Sequence, residues 1–130
     1  MIELNAHQIA EATGGRLTST VDPTTTVTSA NTDSRLITTD GLFIARPGET
    51  TDGHRFIPAA RDAGATLILA ERETTDVKGD PDPAVLVDDA TAAMGKLARY
   101  IVDRIREHSE TTVIGITYSR FVGDVFGAPL

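Results

Sequence analysis

Residues 41–70, GLFIARPGETTDGHRFIPAARDAGATLILA, decide the fold class of this chain. They open on Gly41-Leu42-Phe43-Ile44-Ala45 and close on Thr66-Leu67-Ile68-Leu69-Ala70, two apolar runs with the length of buried strands. Between the two runs, four apolar residues recur at helical spacing: Phe56, Ile57, Ala60 and Ala63. Gly64 then suits the end of a helix. The stretch predicts a strand, a helix and a second strand, which is the repeating unit of a parallel sheet.

The segment before this stretch predicts one helix and several strands. Asn5 is a suitable cap for a short helix that runs through Ala12, and the Gly14-Gly15 pair is suited to end it. Residues 16–32 are rich in threonine and valine, which predicts strands joined by a turn at Asp22-Pro23. Threonine-rich stretches also occur in disordered linkers, so both interpretations stay open at this point.

The segment after it continues the alternation of strands and helices. Residues 71–83 are charged and contain Pro and Gly, which predicts a surface excursion before a strand at Ala84-Val85-Leu86-Val87. Asp88 or Asp89 can cap a long helix whose apolar face comprises Met94, Leu97, Ala98, Ile101, Val102 and Ile105. We therefore predict a small three-layer α/β domain with a mainly parallel sheet.

Composition limits the class of protein. A chain of 130 residues is long enough for one compact domain. It has no cysteine, no apolar run of membrane-spanning length and no secretory signal at Met1, so we expect a cytoplasmic protein without membrane insertion. The net charge of −7 opposes binding to nucleic acid. Residues 31–61 are an exception, because four acidic and four basic residues balance there.

Three short motifs share this charge-balanced segment, and each lies in a predicted loop next to a strand: Thr32-Asp33-Ser34-Arg35, Ala45-Arg46-Pro47-Gly48-Glu49 and Asp52-Gly53-His54-Arg55-Phe56. The Arg35 guanidinium suits a diphosphate, and the Ser34 hydroxyl adds a donor beside it. Alternatively, Asp33 and Arg35 brace a turn. His54 heads a predicted helix, where its ring either meets a ligand, serves as a cap or contacts solvent. No motif by itself identifies a reaction.

The ordered motifs together resemble the N-terminal domain of the muramyl (Mur) ligases. The resemblance covers residues 1–117. It is nearest to the branch that adds D-alanyl-D-alanine (MurF), and the branch that adds diaminopimelate or lysine (MurE) shares several motifs. Besides the three motifs above, it rests on Met1-Ile2-Glu3-Leu4, Gln8-Ile9-Ala10, Thr13-Gly14-Gly15, Gly41-Leu42-Phe43-Ile44-Ala45 and Ala63-Gly64-Ala65.

The resemblance implies a substrate and a domain plan. Residues 1–112 would hold the UDP end of UDP-N-acetylmuramoyl-tripeptide, chiefly through Ser34 and Arg35. Supporting residues would be Ser29, Asn31, Arg46, Asp52, Gly53, His54 and Phe56. In the full-length family, a central domain that uses ATP and magnesium and a C-terminal domain complete the ligase in cis. That enzyme phosphorylates the tripeptide carboxylate and transfers the acyl group to D-Ala-D-Ala.

Residues 113–130 depart from the family pattern. Val113-Ile114-Gly115-Ile116-Thr117 predicts a strand, which the family continues into Gly-Ser-x-Gly-Lys-Thr. Here the pattern's Gly, Gly, Lys and Thr are replaced by Tyr118, Phe121, Val122 and Gly123. Bulky rings would fill the space of the phosphate oxygens, and no lysine compensates their charge. We expect a truncated and aberrant start of the central domain, with Gly115 and Thr117 as vestiges of an ATP site. For this chain we expect no catalytic residue, no cofactor and no metal site.

Three interpretations therefore stay open, and they leave open whether the chain is an enzyme. The first is a substrate-recognition domain of a peptidoglycan-synthesis ligase that does not catalyse alone. The second is a non-catalytic module that binds a UDP-sugar or another protein. The third is an inert remnant that folds poorly.

Overall fold

A computed structural model of the chain describes residues 2–48 and 52–108. Its strands are β1 (Leu4–Asn5), β2 (Arg16–Leu17), β3 (Thr26–Val27), β4 (Ser29–Asn31), β5 (Gly41–Ile44), β6 (Ala65–Ala70) and β7 (Ala84–Leu86). Its α-helices are α1 (Ala6–Thr13), α2 (Ile57–Asp62) and α3 (Ala90–His108), and two 3₁₀ helices span Ser34–Leu36 and Gly53–Phe56. The predicted strand at 113–117 and the tail after it lie outside the described residues.

The main sheet has five strands in the order β2-β7-β6-β5-β4. The last four run parallel to one another, while β2 pairs with β7 in the antiparallel sense, with Leu17 opposite Val85. β1 and β3 form a separate antiparallel pair. The prediction of a mainly parallel sheet is confirmed, and the threonine-rich stretch contributes β2, β3 and β4 instead of a linker.

Helices cover both faces of the sheet, which gives the three layers that the alternation predicts. Alternate residues of β6 face opposite ways: Leu67 and Leu69 belong to the larger core, whereas Ile68 and Ala70 belong to the smaller one. The larger core also contains the apolar residues of α1 and α3, and the smaller core contains those of α2. Buried on both sides, the central strands β5, β6 and β7 are apolar apart from the half-buried Thr66 of β6, as parallel strands usually are.

The ends of α1 follow from short-range chemistry. The Asn5 side chain accepts a hydrogen bond from the Gln8 N–H (2.8 Å), and the Gln8 side chain accepts one from the Asn5 N–H (2.9 Å). This reciprocal pair satisfies two N–H groups that a helix start leaves without partners. At the other end, Gly14 adopts a φ of 72°, which glycine takes without strain, and its N–H donates to the Ala10 carbonyl. The predicted cap at Asn5 and stop at Gly14 are confirmed.

The long helix α3 is confirmed with one correction. Asp89 caps it, because its Oδ1 accepts a hydrogen bond from the Ala92 N–H at 3.1 Å. Val102, which the periodicity assigns to the buried face, is only half-buried. It lies about 100° around the helix from buried Ile101 and therefore at the margin of the apolar stripe. None of the helices in the described part of the chain combines the length and the apolar character needed to cross a bilayer.

Candidate functional site

The carboxyl ends of β4, β5 and β6 meet at one edge of the sheet, because these three neighbouring strands are parallel. The residues that follow them are 32–35, 45–48 and 71–72. Open α/β sheets bind ligands at this kind of edge. Two of the three sequence motifs begin here, and the third returns to the same edge through the contacts of Asp52, Gly53 and His54.

Asp33 holds the Arg35 side chain at the surface after β4. The Asp33 N–H is itself fixed by the Asn31 side chain at 2.8 Å. Asp33 accepts the Arg35 N–H (2.9 Å), and its two carboxylate oxygens accept hydrogen bonds from Arg35 Nε (3.0 Å) and Nη2 (2.8 Å). These hydrogen bonds from Arg35 lower the pKa of the Asp33 carboxyl to about 2. The Arg35 side chain remains 86% exposed, so the brace leaves the guanidinium accessible.

Ser34 and Ser29 lie at different distances from this edge. Ser34 opens the 3₁₀ helix between Asp33 and Leu36 and is half-buried. Ser29 lies opposite Gly41 at the start of β5, and its Oγ is 3.4 Å from Thr38 Oγ1. A strand rises about 3.3 Å per residue, so Ser29 is set back roughly 7 Å from the end of β4. The structure brings Ser34, Arg35 and Asn31 together and does not bring Ser29 to the same edge.

Arg46 and Pro47, which follow β5, lie against Asp52 and Gly53; these four residues mark the two ends of what is here called the Arg46 loop. The Gly53 N–H donates to the Arg46 carbonyl at 2.9 Å, and Pro47 pairs with Asp52 as an antiparallel bridge. A Cβ at Gly53 would lie 2.6 Å from that carbonyl oxygen and 2.8 Å from the Arg46 nitrogen. Only glycine allows the two ends of this loop to approach so closely. The exposed side chain of Arg46 is thereby fixed at its base.

His54 anchors this loop from inside the protein. Its side chain is 1% exposed, and its Nδ1 lies 2.6 Å from Asp52 Oδ1. Its Nε2 accepts a hydrogen bond from the Glu71 N–H at 3.0 Å. Because the backbone can only donate there, Nε2 carries no proton, and Nδ1 donates to the carboxylate. The imidazole is therefore engaged at both nitrogens by the chain itself. The residue that caps this 3₁₀ helix is Asp52, so His54 neither caps the helix nor contacts solvent.

The Asp52 carboxylate is bonded to two residues, His54 and Arg72. Its carboxylate accepts the His54 N–H (3.0 Å) and the His54 ring, and its second oxygen lies 2.8 Å from Arg72 Nη2. The backbone bond from His54, followed by the ring and by Arg72, holds the pKa of the Asp52 carboxyl well below its ordinary value. Asp52 is therefore an anion at neutral pH, and its two carboxylate oxygens are already bonded to His54 and Arg72.

Phe56 and Leu36 add apolar surface close to the motifs. Phe56 is 41% exposed and Leu36 is 63% exposed, in a protein whose other large apolar side chains are mostly buried. The Arg55 guanidinium carbon lies 5.6 Å from the centre of the Phe56 ring, which is a cation–π distance. The 3₁₀ helix that contains Leu36 packs against α2, which Phe56 precedes.

Glu71 and Arg72 are the residues of this edge that the sequence analysis missed. Their charge assigns them to a surface excursion, whereas the structure connects them to Asp52 and His54. The Glu71 carboxylate also accepts the Ala90 N–H, at the start of α3, at 2.8 Å. A signal was present, because both residues directly follow the buried strand β6 and must lie where that strand ends.

The expectation that this chain has no ATP site, with Gly115 and Thr117 as vestiges of one, stays a prediction. Gly115 and Thr117 lie outside the described residues, and residues 109–130 contain no lysine and no Gly-Lys-Thr or Gly-Lys-Ser. A phosphate loop needs that lysine and small neighbours. Within residues 2–48 and 52–108, no group of three or more His, Asp or Glu side chains is placed to hold a metal ion.

A family model described as "Mur ligase family, catalytic domain" matches residues 26–101, which is more than half of the chain. The chain belongs to the Mur ligase family. This confirms the family resemblance, and the matched region contains all three motifs and the Glu71–Arg72 pair.

Relatives from two branches of the family are similar to this chain. The UDP-N-acetylmuramoyl-tripeptide–D-alanyl-D-alanine ligase of Bacillus subtilis is 33% identical over 121 residues, covering 92% of this chain and 25% of the relative. The UDP-N-acetylmuramoyl-L-alanyl-D-glutamate–2,6-diaminopimelate ligase of Bacteroides thetaiotaomicron is 43% identical over 75 residues, covering 55% of this chain and 15% of the relative. The chain thus spans a quarter or less of the length of these Mur ligases.

A solved structure of the family has the same fold. The MurF crystal structure from Acinetobacter baumannii titled as form II superimposes with a TM-score of 0.72 and 25% identity, covering 82% of this chain and 22% of that one. The mainly parallel α/β architecture of this chain is therefore an architecture of the Mur ligases.

Proposed function

We propose that residues 1–112 are the UDP-precursor-binding domain of a ligase that adds D-Ala-D-Ala to UDP-N-acetylmuramoyl-tripeptide. In this proposal these residues hold the precursor, while ATP chemistry in the family belongs to a further domain. Family membership supports the substrate class. The similarity to a D-alanyl-D-alanine ligase over 92% of the chain supports this branch.

The observation that carries the proposal is the braced guanidinium of Arg35. Two hydrogen bonds that the guanidinium donates to Asp33 restrict a side chain that is otherwise exposed to solvent. A restricted guanidinium loses less conformational entropy when it binds, and its planar fork matches phosphate oxygens. The Asp33 charge offsets part of the attraction to an anion, so Arg46 at the neighbouring strand end supplies the additional positive charge.

The remaining residues have graded roles in this proposal. Ser34 and the two arginines contact the diphosphate, while Asn31 and Phe56 line its approach. Asp52, Gly53 and His54 fix the loop that carries Arg46, and Ser29 supports β4 from behind. Magnesium, ATP and the acceptor dipeptide are handled by the central and C-terminal domains of a complete ligase.

Calorimetric titration with UDP-N-acetylmuramoyl-tripeptide tests the proposal. Arg35→Ala should weaken binding by roughly tenfold or more, which is about 1.4 kcal/mol for the loss of charge-assisted hydrogen bonds. Arg99→Ala is a matched control, since Arg99 is 73% exposed and also pairs with an aspartate, Asp103, but on α3. It should bind as the wild type does. A wild-type chain that melts cooperatively and yet gives no binding heat at millimolar ligand would refute the proposal.

A further inference from the structure

His54 is a buried histidine beside the candidate site, and its ring is bonded to the protein and not placed to contact a ligand. His54 is 4% exposed, although histidine is not a common core residue. Burying an imidazole is costly unless its nitrogens have partners, and both have them here. Its partners come from two separate segments of the chain, the Arg46–Gly53 loop through Asp52 and the end of β6 through Glu71. The ring therefore joins Asp52, on the loop side, to the end of β6.

Arg72 strengthens the same joint from the solvent side. Its Nη2 lies 2.8 Å from the Asp52 oxygen that His54 does not use. Asp52 is thus held by a buried ring on one side and by a cation on the other. The Arg72 side chain is 57% exposed, so removing it leaves no cavity in the core.

Glu71 extends the joint to a third element. Its N–H donates to His54, and its carboxylate accepts the Ala90 N–H at the first residue of α3. A carboxylate at a helix N-terminus is stabilised by the helix dipole. Asp52, His54, Glu71 and Arg72, here called the clamp, therefore fix the loop after β5 to the end of β6 and to the start of α3.

We propose that the clamp positions the Arg46 loop for the UDP precursor, with His54, Glu71 and Arg72 acting as positioning residues. The inference rests on the proposed function, since the loop matters to binding only if Arg46 meets the ligand. The charged groups that face the ring are Asp52 on the loop and Glu71 and Arg72 at the end of β6.

Amide hydrogen exchange in the free protein tests the clamp without any ligand. Arg72→Ala and His54→Gln should speed exchange at the Gly53 and Glu71 amides by about tenfold. The Ile68 amide, which is bonded to the Pro83 carbonyl in the sheet, should be unchanged. Equal exchange at Gly53 and Glu71 in the variants and the wild type would overturn the clamp.

Calorimetry with UDP-N-acetylmuramoyl-tripeptide then tests whether the clamp serves binding. Arg72→Ala should bind about three- to tenfold more weakly with an unfolding midpoint close to that of the wild type, because exposed ion pairs add little stability. Glu71→Ala should lose affinity, and Glu71→Gln should recover it, because the amide oxygen can still accept the Ala90 N–H.

The outcomes separate the two proposals. If the wild type binds and all clamp variants bind equally well, the positioning role is refuted and the proposed function stands. If the wild type does not bind at all, the proposed function fails, and with it the role of the clamp toward this ligand. Slower amide exchange at Gly53 and Glu71 on ligand addition supports both.

Discussion

Replacing Gly53 with alanine is the most direct perturbation of the Arg46 loop. The added Cβ would lie 2.6 Å from the Arg46 carbonyl oxygen and 2.8 Å from its nitrogen, whereas ordinary contact begins at 3.4 Å. Both atoms belong to the backbone, so no side chain can rotate away. The loop must therefore open by about 0.8 Å, and the 2.9 Å hydrogen bond from the Gly53 N–H to Arg46 is strained or lost.

The cost follows from these two effects. Overpacking of this kind costs about 1–3 kcal/mol, and a lost hydrogen bond costs about 0.5–1.5 kcal/mol. We expect Gly53→Ala to lower the free energy of unfolding by about 2 kcal/mol, which is roughly 6–10 °C in Tm for a domain of this size. Because the displaced backbone is that of Arg46, affinity for UDP-N-acetylmuramoyl-tripeptide should fall as well.

Gly95→Ala is the matched control for this experiment. Gly95 lies within α3, and a Cβ there meets nothing within 4 Å. Alanine has the higher helix propensity, so this variant should gain about 0.5–1 kcal/mol. Urea denaturation and calorimetry on both variants give the comparison. If Gly53→Ala matched the wild type in both stability and affinity, the reasoning about the loop would be refuted.

Two further predictions concern Asp33 and Thr18. In the folded chain the Asp33 carboxyl should titrate by NMR near a pKa of about 2 instead of 3.8, and Arg35→Gln should return it toward 3.8. Because folding lowers this pKa, the stabilisation from the Asp33–Arg35 pair is complete above pH 3.8 and is lost as the pH falls through about 2. A wild-type Asp33 carboxyl with an unshifted pKa would contradict this pairing. Thr18→Val should cost about 2–4 kcal/mol in urea denaturation, because it leaves the Ala84 N–H and a buried carbonyl without the hydroxyl that bonds both at 3.0 Å. Thr20→Val removes an exposed hydrogen bond and should cost less than about 0.5 kcal/mol, and equal losses in the two variants would contradict this account.

The elements with strong local signals could be predicted from the sequence. β5 and β6 lie in apolar runs of the sequence, and the spacing of the apolar residues in α3 indicates which face of the helix is buried. Asn5 and Gly14 mark the ends of α1 because caps and left-handed glycines depend on only a few neighbouring residues. Such features need no knowledge of the rest of the fold.

The features that depend on distant contacts could not be predicted. Nothing near Leu17 indicates that it pairs with Val85 in the antiparallel sense. The burial of His54 depends on where β6 ends, and its charged surroundings suggest an exposed histidine instead. Glu71 shows the same difficulty, because a charged residue in a Pro- and Gly-bearing segment has the composition of a solvated loop. Whether Glu71 is solvated or bonded to other segments depends on where β6 ends.

The pairing of β2 with β7 also has a consequence during synthesis on the ribosome. Thr18 leaves the ribosome well before Ala84, the residue 66 positions later whose N–H it accepts. Until that point the nascent chain can assemble β4, β5 and β6, while β2 lacks its partner strand β7. A fragment that stops before Ala84 therefore exposes the edge of β6 and the apolar side of α1, and unpaired strand edges of this kind favour aggregation.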